Sequence, residues 1–281
     1  MSSSAAAAGL GLVSAATWGG SDFVGGIGAR RAPAILVVAS GHIFSLLVLL
    51  AICQGMHLAL PGSHYLVYAA LGGFEGSLAL AVFYRALSMG AMGLTAALTG
   101  VLTALVPVLF SMVHDGLPTP LAAVGLALGL IAIWLITHTP ADSGSATPTN
   151  ALLLGALAGT GFGTQLILFK FASGGGILWT MTSARAAGAL AMILFLLVMP
   201  PKAPWRGFWL TGILAGSLDT IGNLFYLSAT RLGRLDVAAV VCSLYPAGTI
   251  LLAAFVLHER PTRRQIAGMA LALSAVMLLS I

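Results

Sequence analysis

The chain has 281 residues, of which 59% are hydrophobic and only 7% are charged, and its formal net charge at pH 7 is +5. Soluble domains carry roughly a quarter charged residues, so this composition excludes a soluble fold and indicates an integral membrane protein. The length gives room for about ten crossings of about twenty residues each. The excess positive residues fall at helix ends, where membrane topology accounts for them, so no nucleic-acid partner is expected.

Apolar stretches bounded by Gly, Pro or charged residues predict an all-α protein with ten transmembrane helices. A polar stretch separates the helices into a first unit at 1–138 and a second unit at 151–281, with a linker at 139–150. The predicted helices lie near 8–28, 34–53, 65–87, 92–113 and 120–138 in the first unit, and near 151–170, 177–199, 207–228, 236–257 and 265–281 in the second.

The two units resemble each other weakly when residues are paired at an offset of about 143. An odd number of helices in each unit makes the second unit enter the membrane from the other side, so the sequence predicts two inverted repeats. Inverted repeats around a central site can open that site to each face in turn, which favours a transporter. The matched pairs include Gly11 with Gly155, Trp18 with Phe162, Gly19 with Gly163, Ala86 with Ala229, Gly90 with Gly233, Pro118 with Pro261, and Gly125 with Gly268.

The distribution of Lys and Arg over alternate loops predicts the orientation of the chain. The positive-inside rule makes the richer face cytoplasmic and places both termini outside. One face collects Arg30, Arg31, Arg85, Lys202, Arg206, Arg260, Arg263 and Arg264, and the other collects Lys170, Arg231 and Arg234.

Ionisable side chains within the predicted helices are the first candidates for function, because insertion of one costs roughly 2.5 to 3.5 kcal/mol. Asp219, Asn223 and Tyr226 share one face of the eighth helix by their spacing. A carboxylate on that face could take up a proton or hold a substrate amine. The alternative is a fixed internal ion pair between Asp219 and Arg185, which could otherwise bind a substrate carboxylate.

Other candidates lie in the first, second and third helices. Asp22 follows Trp18 by one helical turn, and an aromatic face beside a carboxylate suits an organic cation or an amine. Alternatively, Trp18 packs in the bundle and Asp22 reaches the interface. Glu75 is either a proton site or a buried packing acid, and Gly72, Gly73 and Gly76 surround it. His42 could titrate near neutral pH or serve as a hydrogen-bond partner between helices.

Two prolines lie inside predicted helices and remove a backbone donor there. Pro107 and Pro246 should kink their helices and free a carbonyl, and such breaks can form binding sites or hinges. Pro246, with Tyr245 beside it, is the better candidate for a functional break. A passive kink is the alternative at both positions.

Taken in order along the chain, several short segments resemble the EamA-type transporters of the drug/metabolite transporter superfamily. They are Trp18 with Gly19, the segment Tyr84 to Leu87, Arg185, Pro246, the connection His258 to Pro261, and Gly268. The resemblance implies ten helices in two inverted bundles, a central substrate cavity, and export or uptake of metabolites or drugs, often driven by protons. It also implies a bacterial plasma-membrane location. His42 stands at the repeat position of Arg185, and Asp115 replaces the glutamate of the equivalent connection.

The sequence therefore predicts a secondary transporter that works by alternating access on an amino acid, an amine or an organic cation. Proton coupling is a further hypothesis, and a passive channel or a non-transporting scaffold is the alternative. A membrane-embedded enzyme would need a catalytic constellation or a metal cluster, so no catalytic residue, metal or cofactor is expected. Partners are a small-molecule substrate, the lipid bilayer and protons. The candidate site residues are Trp18, Asp22, His42, Glu75, Tyr84, Arg185, Asp219, Asn223, Tyr226, Tyr245 and Pro246.

Overall fold

A computed structural model of the chain describes residues 3–29, 31–88, 92–137, 149–200, 207–256 and 262–279. Within these ranges the secondary structure is helical and no strand occurs, which confirms the predicted all-α class. A short 3-10 turn, Ser173–Gly175, connects α6 to α7. The eleven α-helices of the described residues are α1 Ser3–Ala29, α2 Ala34–Gly55, α3 Ser63–Ser88, α4 Met92–His114, α5 Pro120–Thr137, α6 Thr149–Ala172, α7 Ile177–Val198, α8 Phe208–Leu232, α9 Leu235–Cys242, α10 Tyr245–Val256 and α11 Arg263–Leu279.

The helix limits lie close to those predicted, with one structural difference. The ninth predicted helix, 236–257, is two helices, α9 and α10, separated by Ser243 and Leu244. Of the predicted linker 139–150, the last two residues belong to α6, and residues 139–148 lie outside the described residues. The connection His258 to Pro261 and the basic residues Arg30, Lys202 and Arg206 also lie outside them.

The break between α9 and α10 has a clear backbone cause. Pro246 has no N–H, so it cannot donate to the carbonyl of Cys242 as a continuing helix would require. The chain turns instead, with the Leu244 N–H donating to the Val241 carbonyl at 3.2 Å and the Ala247 N–H to the Leu244 carbonyl at 2.9 Å. Pro246 then stands in the first turn of α10, where a missing N–H costs nothing. Pro107, in contrast, lies inside α4.

The described helices are suited to a bilayer. Four segments are long and apolar enough to cross a membrane on their own: Ala34–Gly55, Ser63–Ala86, Leu153–Gly175 and Ile177–Val198. Large apolar side chains such as Leu47, Leu197 and Phe255 are exposed on the outside of the bundle. Because the bilayer interior is as apolar as these side chains, this is the expected outer surface of a multi-pass membrane protein.

Six helices pack on one another around the centre of the bundle in the order α1, α8, α2, α7, α3 and α6, and other helices close this ring. The most extensive contacts join α1 to α8 and α3 to α6, and α2 and α7 contact each other. Next to them, α3 packs on α7, and α2 packs on α8. The helices α4, α9 and α10 complete the wall, while α5 and α11 pack mainly as a pair at its edge.

Small residues allow the closest helix crossings. A Cβ atom added at Gly41 of α2 would lie 2.6 Å from the carbonyl oxygen of Gly212 and 2.8 Å from the Cα atom of Gly216, both in α8. At the crossing of α3 with α7, Gly73 packs directly against the backbone of Ala184. The backbones therefore approach as small residues permit in membranes.

Candidate functional site

A cavity lies at the centre of the helix ring and takes residues from both halves of the chain. The space amounts to about 660 Å³, including its opening. Seven predicted site residues line it: Trp18, Asp22, His42, Arg185, Asp219, Asn223 and Tyr245. The lining also includes Gly73, Gly76, Ser77, Leu80, Phe83, Thr103, Phe162, Gln165, Leu166, Phe169 and Ala184.

Arg185 of α7 is the hub of a buried polar network beside the cavity. Its Nη2 donates to the carboxylate of Asp219, and its Nε donates to the Thr220 hydroxyl at 3.0 Å. Its Nη1 donates to Nδ1 of His42 at 2.8 Å. The side chain of Arg185 is 5% exposed and that of Asp219 is 23% exposed. Of the two alternatives left open by the sequence, the structure therefore contains the internal ion pair.

The contact with Arg185 also fixes the role of His42 in this arrangement. Since a guanidinium only donates, Nδ1 of His42 must accept, and the ring proton sits on Nε2. Nε2 is 3.0 Å from the Ser77 hydroxyl, which in turn donates to the carbonyl of Gly73 at 2.6 Å. His42 is thus a hydrogen-bond partner that links α7, through α2, to α3.

Asn223 and Tyr226 of α8 form hydrogen bonds with different helices, although their spacing places them on one face. The Asn223 amide donates to the side chain of Asp219 at 3.2 Å and to its carbonyl at 2.8 Å. Both carboxylate oxygens of Asp219 therefore have partners. Tyr226 is fully buried, and its hydroxyl donates to the carbonyl of Leu166 in α6 at 2.7 Å, so it braces two helices rather than lining the cavity.

Asp22 of α1 lines the cavity and differs from Asp219 in its surroundings. Among the described residues no ion pair or hydrogen bond engages its carboxylate. Asp219, Tyr84 and Tyr245 lie within electrostatic range of it. Asp22 is thus an acid whose partner is not supplied by the described part of the chain.

Trp18 is held in a defined orientation one turn from Asp22. Its ring is tilted against Tyr226 at a centroid distance of 6.0 Å and meets Tyr245 edge-on at 6.4 Å. A Cβ atom added at Gly222 would lie 2.5 Å from its Cδ1 atom, so α8 supports the indole directly. The ring therefore forms one fixed wall of the cavity beside the carboxylate.

Besides Tyr226, three predicted site residues lie outside the lining of this cavity. Glu75 of α3 is half-buried near Gly161 of α6. Pro246 is buried at the start of α10, where it positions its neighbour Tyr245. Tyr84 lines a smaller recess, together with Ser21, Val37, Val38, His42, Leu80, Ala215, Gly216 and Asp219.

That recess lies next to the cavity, toward one face of the bundle. We call this the arginine-rich face, defined by the helix ends that bear Arg31, Arg85, Arg263 and Arg264; the opposite face bears Lys170, Arg231 and Arg234. Val37 lies in the first turn of α2 and Tyr84 near the end of α3, both at the arginine-rich face. Because His42 and Asp219 line both spaces, the Arg185 network separates the recess from the cavity.

Toward the opposite face, α6 and α8 are joined by polar contacts. The Lys170 ammonium donates to the carbonyl of Thr230, one turn beyond the bond from Tyr226 to Leu166. We call these two bonds the α6–α8 closure. Farther out, Arg234 donates to the carbonyl of Gly116 at 3.0 Å and pairs with the buried Asp236 at 2.9 Å. Hydrogen bonding to the Asp236 carboxylate raises the pKa of Arg234 above its ordinary value.

Sequence reasoning did not select several residues of the site. Ser77 and Thr220, which hold His42 and Arg185, are themselves 143 residues apart, so the repeat offset could have identified them. The rings of Phe83, Phe162 and Phe169 also line the cavity. No pattern in an apolar helix separates such residues from those that face lipid.

One comparison with known proteins identifies the class of protein. The EamA-like transporter family matches residues 149–281, the second half of the chain, which confirms the resemblance seen in the sequence. The crystal structure of another protein is similar over 98% of each chain, with a TM-score of 0.78 and 18% sequence identity. At this identity the likeness concerns the fold alone. A search of curated proteins finds no match.

Proposed function

We propose that this chain, an EamA-type member of the drug/metabolite transporter superfamily by the match of residues 149–281, carries a small solute through the central cavity by alternating access. Family membership indicates, in general terms, a membrane transporter. The observation that carries the finer proposal is the repetition of contacts around the cavity, which supports two inverted repeats.

The backbone crossings repeat at the offset seen in the sequence. Gly41 of α2 packs on Gly216 of α8, and their partners at that offset, Ala184 of α7 and Gly73 of α3, pack on each other. Such pairing is expected where a pseudo-twofold axis relates the first five helices to the remainder.

The polar network follows the same relation. His42 and Arg185 stand at the offset of 143 and contact each other, so the pseudo-twofold axis would pass between them. Each bonds to a hydroxyl of a neighbouring helix, Ser77 for His42 and Thr220 for Arg185, and these hydroxyls are again 143 residues apart. The network would therefore sit at the pivot of the two repeats, beside the cavity.

Alternating access requires the two faces to be closed in turn. In this conformation the α6–α8 closure joins the helices near the opposite face. At the repeat offset, Tyr226 corresponds to Phe83 of α3, and Lys170 to Gly26 or Ile27 of α1, none of which can make the same bonds. We infer that the two faces have chemically different gates. Exchange would break the α6–α8 closure and pack α1 against α3.

The break between α9 and α10 supplies a hinge next to the cavity. Pro246 leaves the Cys242 carbonyl without its helical donor, and Tyr245 at the break lines the cavity. Discontinuous helices near substrate sites are a recurring feature of transporters with inverted repeats. The half-helices could therefore move separately while the site remains intact.

The lining residues suit an amino acid, an amine or an organic cation, as the sequence predicts. Acidic groups, a guanidinium and five aromatic rings surround the space. Proton coupling through an acid in the cavity remains part of the proposal, and Asp22 is the better candidate because Asp219 is engaged with Arg185.

The proposal is tested in proteoliposomes with a panel of amino acids, amines and organic cations, with and without an imposed pH gradient. The native protein is compared with Asp22→Asn and with the matched control Asp115→Asn, which replaces an exposed acid outside the cavity. We expect flux that requires the gradient, falls in Asp22→Asn and persists in Asp115→Asn. Gradient-independent flux would remove proton coupling, and absence of flux for every compound would favour the scaffold alternative.

A further inference from the structure

We propose that the cavity recognises its solute as a monocation through Asp22, and that Arg185 is withheld from the solute. This inference rests on the transport function proposed above and narrows its substrate class. The ligand would be a small amine with an aromatic or apolar body and no carboxylate. The argument depends on which charged groups of the cavity already have partners.

Arg185 is the group that would bind a substrate carboxylate, and its positive charge is already paired with Asp219. Its three nitrogens bond to Asp219, Thr220 and His42, and its side chain is only 5% exposed. Both nitrogens of His42 have partners of their own. No other lining residue among those described carries a positive charge. A bound zwitterion would leave its carboxylate without a cationic partner, which is costly in a site of low polarity.

Asp22 presents the opposite situation. Its carboxylate lines the cavity and has no ion-pair or hydrogen-bond partner among the described residues. Because Asp219 is balanced by Arg185, ionisation of Asp22 gives the lining one net negative charge, located on Asp22. An ammonium group would supply the missing charge and donate charge-assisted hydrogen bonds, which are stronger than neutral ones.

The remaining lining fits the body of such a ligand. Trp18 and Tyr245 lie next to Asp22, and Phe83, Phe162 and Phe169 add aromatic surface. Aromatic faces attract cations as well as apolar groups. Gln165 lines the cavity without a hydrogen-bond partner in the described part of the chain, so its amide can serve a neutral polar substituent.

Three compounds with one phenyl ring and different charges test the inference: 2-phenylethylamine, phenylalanine and 3-phenylpropionate. Binding to the purified protein in nanodiscs is measured by calorimetry. We expect the amine to bind at least about tenfold more tightly than phenylalanine, and the anion to bind least. Asp22→Asn should weaken amine binding by about tenfold to a hundredfold, the range for a hydrogen bond to a charged group. Asp22→Glu should retain it, and Asp115→Asn should leave it unchanged.

Asp219→Asn gives a second, opposite test. Removing this carboxylate releases the Arg185 guanidinium and brings the net charge of the lining to zero, so phenylalanine should gain affinity about tenfold relative to the amine. Thermal stability provides the control for folding, since Asp22→Asn removes an unpaired charge and should not lower the melting temperature.

The inference is overturned if native protein binds phenylalanine at least as tightly as the amine, or if Asp22→Asn binds the amine like the native protein. Transport of a zwitterion or an anion with no amine binding would overturn it while leaving the transport function standing. If the amine binds through Asp22 and no compound crosses the membrane, the inference on recognition holds and the transport function fails.

Discussion

Replacement of Arg185 by Met tests the buried network, because it removes three bonds and leaves Asp219 without its cation. Breaking a buried ion pair from one side costs about 3–5 kcal/mol. The Asp219 side chain is 23% exposed, so we expect the free energy of unfolding to fall by the lower end of this range, about 3 kcal/mol. The double variant Arg185→Met, Asp219→Leu removes both charges. Its cost should be smaller than the sum of the single costs by about 1–3 kcal/mol.

The measurement is chemical unfolding in detergent, followed by tryptophan fluorescence, for the native protein, the two single variants and the double variant. Arg231→Met provides the matched control, because Arg231 is exposed at the end of α8 and its loss should stay within about 0.5 kcal/mol. Equal costs for Arg185→Met and Arg231→Met would refute the reasoning, as would strict additivity in the double variant.

Three further variants probe packing, closure and the hinge. Gly41→Ala should cost about 1–3 kcal/mol in the same assay, because the added Cβ atom would lie 2.6 Å from a carbonyl oxygen of α8, whereas Gly9→Ala, which meets open space, should not destabilise. Tyr226→Phe removes one bond of the α6–α8 closure and should cost about 1 kcal/mol. It should also speed the reaction of a membrane-impermeant thiol reagent with Thr103→Cys from the opposite face, and an unchanged rate would count against that gate. Pro246→Ala supplies the missing donor at the helix break and should slow transport without loss of stability; native transport rates would show that the break is passive.

The sequence predicted the helices well because each apolar segment must satisfy its own backbone in the bilayer, whatever its neighbours. The break in the ninth predicted helix was different. Pro246 could kink a continuous helix or begin a new one, and the choice depends on the turn at Ser243 and Leu244. The local composition does not determine whether the helix kinks or ends at this proline.

The site could be predicted in part. Asp22, His42, Arg185 and Asp219 were identifiable because charged or polar groups in an apolar helix require partners. Whether Arg185 pairs with Asp219 or faces the solute depends on how α7 is rotated against α8, which the sequence does not state.

The contact between His42 and Arg185 and the aromatic lining of the cavity differ in how far the sequence predicts them. The offset of 143 already related His42 to Arg185, and the proposed pseudo-twofold axis would bring these two residues together, so their contact was in principle predictable. The aromatic lining was not predictable, since cavity-facing and lipid-facing positions of a membrane helix are both apolar. Phe162 and Phe169, which line the cavity, stand in apolar sequence like that around Phe195, which is exposed on the outside of the bundle.

Counterflow tests the central claim, that the cavity opens to one face at a time, most directly. Proteoliposomes are loaded with the unlabelled panel solute that crosses fastest, and entry of the labelled solute is followed from a dilute outer solution. A carrier that alternates between faces should accumulate label transiently above its outer concentration. Each unlabelled molecule that leaves the vesicle brings the carrier back to its outward-facing state, where it can bind a labelled molecule. Simple equilibration of the label, unaffected by the solute inside, would identify a passive channel and contradict the account.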